Sequence, residues 1–166
     1  MMTHLTEPKR WLHIWQQNIN KSLVAQLDLL HSLSPLDYNI AVIQEPYIDH
    51  LGNSRSTPHW ISIYPQGHLD SPKSTRSLTL VNRSLISTNA WTQVLVANPD
   101  ITALRLESNL GPVYIYNIYN DSTHARDLEA LKTHLCERER GPTEGQYIHM
   151  VWFGNFNHHH PLWDEE

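Results

Sequence analysis

The sequence predicts a mixed α/β domain built in layers. Three observations predict it. Short strand-like runs dominate the chain. Only two stretches, Leu23 to Leu33 and Leu128 to Leu135, space their leucines at helical intervals. Those two stretches sit near the two ends, with a block of strands between them, so strand and helix do not alternate regularly. The 166 residues suggest one domain, long enough to bury a sizeable core without crosslinks. Hydrophobic residues at 40% against 17% charged suit a globular chain rather than a disordered one. Residues 1–10 read as an N-terminal tail and 11–166 as the domain.

Along the chain, Trp11 to Gln17 reads as a strand, with Leu12 and Ile14 alternating against polar or aromatic neighbours. Asn18-Ile19-Asn20 breaks it, and Asn20 or Ser22 can cap a helix carrying Leu23, Leu27, Leu30 and Leu33. Pro35 requires that helix to stop before it. Asn39 to Gln44 is a short apolar strand expected to be covered on both faces. Glu45-Pro46-Tyr47 comes at its end, then a loop from Ile48 to Pro58. Trp60 to Tyr64 alternates like a strand, and Pro65 to Thr75 reads as another loop. Ser77 to Val81, Thr92 to Val96, Ile101 to Leu106 and Val113 to Tyr119 are all strand-like. Their short connections predict antiparallel pairing. Ser122 or Thr123 caps a second helix with Leu128, Leu131 and Leu135 on one face, and Gly141-Pro142 stops it. Tyr147 to Phe153 is the last strand.

Composition narrows the function. The formal net charge is −5 and the twelve Lys and Arg residues are scattered, so no general attraction to nucleic acid is expected. A DNA-binding reading must rest on a local surface. The single cysteine, Cys136, excludes an internal disulfide, reads as a structural thiol and favours a reducing compartment. The start lacks a signal-peptide core, and no apolar run approaches a membrane span. No Gly-rich phosphate loop or dinucleotide fingerprint appears, and no small organic cofactor is expected.

The chemistry gathers at strand ends. Asn18 ends the first strand, Glu45 the second, Tyr119 with Asn120 and Asp121 a later one, and Asn155 with Asn157 the last. An asparagine at a strand end is usually a turn residue, and a lone glutamate is usually a surface carboxylate. Together they are oxygen donors for one rim, the ligand chemistry of a hard cation such as Mg²⁺. The stretch from Val151 to Pro161 is the most chemical in the chain: an apolar run, a glycine, then amides and three histidines.

Gln16-Gln17-Asn18-Ile19-Asn20, Ile43-Gln44-Glu45-Pro46-Tyr47, Tyr116-Asn117-Ile118-Tyr119-Asn120 and Trp152-Phe153-Gly154-Asn155-Phe156-Asn157 resemble successive motifs of the endonuclease/exonuclease/phosphatase superfamily. Within it the chain looks closest to the endonuclease domain of non-LTR (LINE-type) retrotransposons, since His158-His159-His160-Pro161-Leu162-Trp163 resembles the two histidines, proline and tryptophan common after the glycine-led motif there. The resemblance implies a DNase I-like fold, two packed β-sheets flanked by helices. It implies Mg²⁺ or Mn²⁺ as cofactor, DNA as partner and a phosphodiester as the bond cut. Glu45 matches the metal-binding glutamate, and Asn18 the asparagine near metal and phosphate. Tyr119 matches the aromatic hydroxyl beside the phosphate, and Asn157 the asparagine orienting phosphate or water.

Two departures weaken the implied activity. The family pattern is Gly-Asp-x-Asn, whereas Asn155 stands in the aspartate's place, and an amide cannot accept the proton of the attacking water. The family's later strands and their Asp-His pair have no counterpart before Glu166, which implies a truncated domain whose exposed sheet edges favour self-association. The leading expectation is a weak or inactive retrotransposon-type endonuclease domain, intracellular and, on that origin, nuclear. The alternatives are a superfamily phosphatase or phosphoesterase, a non-catalytic DNA- or protein-binding module, and a remnant that does not fold. The histidine triplet reads as a family loop rather than a zinc site, because adjacent residues rarely face one ion. The other histidines read as surface or core-edge residues, the six tryptophans as packing, and Glu137 to Arg140 as a solvated helix end.

Overall fold

The computed structural model describes residues 11–121, 126–139 and 148–156. The expected tail, both candidate caps of the second helix, its Gly141-Pro142 stop, Asn157 and the histidine triplet lie outside them. The elements are β1 (Ile14–Asn18), α1 (Leu23–Ser32), β2 (Ile40–Gln44), β3 (Trp60–Ile63), β4 (Ser77–Asn82), β5 (Trp91–Val94), β6 (Ile101–Leu106), β7 (Val113–Tyr119), α2 (Arg126–Glu139) and β8 (His149–Asn155).

The strands form two mixed four-stranded sheets, ordered β1-β2-β4-β3 and β5-β6-β7-β8. β1 runs parallel to β2 and β7 parallel to β8, while all other neighbours are antiparallel. A parallel pair needs a long crossover, and the two helices supply one each. The short connections predicted antiparallel pairing along the whole central run. It holds for β5–β6 and β6–β7, but β4 and β5 belong to different sheets. A short connection fixes the reach of the chain, not the sheet it enters.

Several strand boundaries shift, and β5 runs Trp91–Val94 rather than Thr92 to Val96. β1 starts at Ile14, which pairs with Ile40 at the start of β2. β8 runs to Asn155, so Gly154 lies inside the strand rather than after it.

The packing is layered. Ile40, Val42 and Val81 from one sheet meet Leu104, Leu106 and Ile115 from the other. α1 covers the outer face of the first sheet with Leu29 and Leu33 against Ala41, Ile43, Leu78 and Leu80. Leu131 of α2 covers the second sheet's outer face against Ile101, Ala103, Tyr116 and Ile118. β2 is therefore buried on both faces, as its apolar run predicted.

Ser22, one of the two expected caps, is the cap of α1, accepting from the Ala25 amide at 3.2 Å. Several other side chains overturn expectations. Leu27 is exposed on that helix while Gln26 is fully buried. Gln26 donates to Ser54 Oγ at 2.6 Å and to the Arg55 carbonyl at 2.5 Å, and accepts from the Tyr47 amide at 2.8 Å. Those bonds satisfy the amide, so its burial is tolerated. Leu128 of α2 is exposed while Leu131 is buried. Arg138 is no solvated end: its guanidinium lies 3.3 Å from the centre of the Tyr114 ring and donates to the Tyr116 hydroxyl at 2.9 Å. His68 is buried rather than superficial, and Cys136 is exposed. Trp60 is core, but Trp11 and Trp152 are exposed.

Candidate active site

β1, β2, β7 and β8 all end at one rim of the sandwich, and antiparallel β4 and β6 begin there. Register places Asn18 beside Gln44, Gln44 beside Ser77, and Tyr119 beside Asn155. The sheets are tied together below this rim. Gln44 Nε2 donates to Asn117 Oδ1 at 2.5 Å, and Asn117 Nδ2 donates to the carbonyls of Ile43 and Leu78 at 3.1 and 2.9 Å. Ser77 Oγ donates to the Asn117 carbonyl at 3.0 Å. Gln16 Nε2 donates to the Gly154 carbonyl at 3.1 Å, joining β1 to β8.

The backbone at this rim is unusual. Asn20, Lys21 and Glu45 have φ of 48°, 55° and 50°, and they are all the non-glycine residues with positive φ among the described residues. The left-handed conformation costs an L-residue about 1–2 kcal/mol, and such strain tends to gather at functional sites. Here it is held by hydrogen bonds. The Lys21 amide donates to the Glu45 carbonyl at 2.7 Å, and the Glu45 amide donates to the Arg76 carbonyl at 2.8 Å.

Glu45 is half-buried at the end of β2. Burial first, then the nearby Glu45 carboxylate, pushes the Tyr119 phenol above its ordinary value. Arg76 pulls the other way, with its guanidinium 4.9 Å from the centre of the Tyr119 ring. Two carboxylates hold Arg76. Nε donates to Asp100 Oδ1 at 2.8 Å, a terminal nitrogen to Asp100 Oδ2 at 2.5 Å, and the other to Asp121 at 3.0 Å. These bonds raise the guanidinium's pKa above its usual value. Burial raises the Asp100 carboxyl's, against the effect of Arg76.

Asn155 ends β8, and its carbonyl accepts from the Asn120 amide at 2.8 Å. Gly154 must be glycine here, because a Cβ would lie 1.9 Å from the Ile118 carbonyl oxygen. Asn18 is exposed, with Oδ1 accepting from the Asn20 amide at 2.9 Å. A cleft of about 590 Å³ opens beside the rim, lined by Lys21, Arg76, Asn98, Asp100, Arg126 and Asp127 among others.

Of the five residues singled out from sequence, Asn18, Glu45, Tyr119 and Asn155 share this rim, and Asn157 lies outside the described residues. Glu45 lies near enough to Tyr119 for its charge to raise the phenol's pKa. Asn18 is turned to its own loop. Among the described residues, no group of three or more His, Cys, Asp or Glu side chains gathers to hold a metal ion. The described donors suit a cation held by one carboxylate, with water and a substrate phosphate completing its shell, rather than a closed protein cage.

Sequence reasoning missed Arg76 and Asp100. Each directly precedes a strand, the only signal available, and antiparallel pairing is what brings those starts to the rim.

Solved structures share this fold. The endonuclease domain of TRAS1, a telomere-specific non-LTR retrotransposon, superposes with a TM-score of 0.67 at 17% identity, over 92% of this chain and 62% of that one. Humanized D. rerio TDP2 carrying 14 mutations superposes with a TM-score of 0.52 at 11% identity, over 90% of this chain and 63% of that one. The chain thus spans under two thirds of either structure's length. No protein-family model and no curated protein matches the sequence. The two packed sheets flanked by helices are the DNase I-like architecture expected from the motifs. No helix among the described residues is long and apolar enough to cross a membrane.

Proposed function

We propose that residues 11–166 are part of a divalent-metal-dependent phosphodiesterase domain of the retrotransposon endonuclease type, acting on DNA, with activity weakened or lost. The observation that carries this reading is Glu45. It sits in a strained left-handed conformation at a strand end, against Tyr119, on the rim that also holds Asn18 and Asn155. A fold shared with the TRAS1 endonuclease domain supports it.

In this reading Glu45 holds Mg²⁺ or Mn²⁺, which when bound supplies Lewis-acid neutralisation of phosphate charge. Tyr119 offers its phenol to a phosphate oxygen; its raised pKa keeps that proton in place at neutral pH. Asn18 and Asn157 orient the phosphate through their amides. Asn155 occupies the general base's position but takes no proton, and losing a positioned base costs about 10²–10⁴-fold in rate.

Mg²⁺-dependent nicking of supercoiled plasmid, with Glu45→Ala in parallel, tests the reading. Weak nicking that vanishes in Glu45→Ala supports it. Nicking that survives in Glu45→Ala overturns the role of Glu45. The neutral Asn155 also favours a second reading, a DNA-binding module without catalysis. Salt-dependent DNA affinity with no cleavage by a cooperatively unfolding protein would select it.

A further inference from the structure

We infer that Arg76 is a positioning residue, which clamps the two sheets at the rim and orients the Tyr119 ring beside Glu45 without itself binding the substrate's phosphate. The inference about phosphate rests on the function proposed above; the clamp does not.

Three features of the geometry carry this. First, the guanidinium is already committed. Three of its five N–H bonds go to Asp100 and Asp121, the Asp100 pair in the bidentate fork that arginine makes with carboxylates. Asp100 is 2% exposed, so this partner cannot swing away into water. Two carboxylates around one guanidinium leave it no unopposed positive charge to offer a phosphate. Second, Arg76 spans the sandwich. It directly precedes β4 of one sheet, while Asp100 precedes β6 and Asp121 comes after β7 of the other. Third, Arg76 holds both members of the Glu45–Tyr119 pair. Its carbonyl accepts the Glu45 amide at 2.8 Å, fixing the strained residue, and its guanidinium covers the Tyr119 ring at 4.9 Å. A lysine keeps the charge but has neither the fork nor the flat face.

The test uses Arg76→Lys and Arg76→Gln in the full chain. The first readout is the aromatic ring resonance of Tyr119 in tyrosine-labelled protein, assigned by its absence in Tyr119→Phe. It is expected to move in both variants, because the guanidinium leaves the ring face. An unmoved resonance overturns the inference. The second readout is affinity for a short DNA duplex across a salt series. In Arg76→Gln, which removes the charge, positioning predicts an unchanged slope of log K against log salt, whereas loss of a phosphate contact lowers the slope by about one. A slope lowered in that way overturns the inference. If the unaltered chain binds no DNA at any salt, the proposed function fails, and the Tyr119 resonance alone decides the clamp. Where the chain cleaves, positioning further predicts a fall in kcat at constant KM, and a rise in KM alone overturns it. Should Arg76→Gln fail to fold, Arg76→Met, which also removes the charge, carries the salt arm, and Arg76→Lys carries the others.

Discussion

Gln44 and Asn117 lie 73 residues apart in sequence and on different sheets, yet the Gln44 amide donates to the Asn117 side-chain oxygen at 2.5 Å. Both are fully buried. Glu45 follows Gln44 at the end of β2 and Tyr119 ends β7, so this polar tie fixes the spacing of the rim.

Asn117 is expected to be the most sensitive of these ties. Asn117→Leu keeps the size but strands the carbonyls of Ile43 and Leu78 and the Gln44 amide. Burying such unsatisfied groups is expected to cost about 2–5 kcal/mol, read as a lower urea midpoint at constant slope. A loss under about 1 kcal/mol would mean that water takes the place of the amide. Adding Gln44→Leu is expected to recover part of the loss, since replacing both partners removes an orphaned group.

Gly154→Ala meets backbone, not a yielding side chain. The added Cβ would lie 1.9 Å from the Ile118 carbonyl oxygen, so β8 must move away from β7. The expected cost is about 2–4 kcal/mol in chemical denaturation. An unchanged midpoint would show that β8 can part from β7 at little cost.

Asn155→Asp is expected to raise plasmid nicking about 10²–10⁴-fold in Mg²⁺, by returning a proton acceptor to the end of β8. The double variant Asn155→Asp with Glu45→Ala is expected to show none of the gain. No gain in the single variant would place the defect elsewhere on the rim.

Acid is expected to weaken the fold through His68. Its ring stacks on Tyr64 at 3.9 Å; Nε2 donates to the Gly52 carbonyl at 2.9 Å, so in the neutral ring Nδ1 accepts from the Thr75 hydroxyl at 2.7 Å. Burial pushes this imidazole below the usual 6.5. The unfolded chain therefore takes up the proton first. The stability is full above 6.5 and falls as pH drops below 6.5 towards the folded value. His134 shifts the same way for the same reason, whereas Asp100, raised by burial, acts oppositely above 3.8. The difference in Tm between the unaltered protein and His68→Gln isolates the effect. It is expected to shrink as pH falls from about 7 to about 5.

Much of this protein was legible along the chain. Every described strand and both helices answer to a local pattern, an alternation, an apolar run or a helical spacing, and Ser22 was among the expected caps. Four motifs led to Asn18, Glu45, Tyr119 and Asn155, which do share a rim. Local pattern fails where polar side chains are buried. Gln26, Gln44, Asn117 and His68 look like surface residues, and only partners distant in sequence make their burial tolerable.

The sequence by itself determined the elements, their order and the strand ends that carry the oxygen donors, because backbone propensity and hydrophobic period act over a few residues. Only the tertiary structure decided that β4 and β5 part into different sheets. It alone placed Arg76 and Asp100 on the rim, and turned Glu45 into the left-handed region between Lys21 and Arg76. Those outcomes depend on which hydrogen-bond partners a strand end meets across the sandwich, and no local window of sequence contains them.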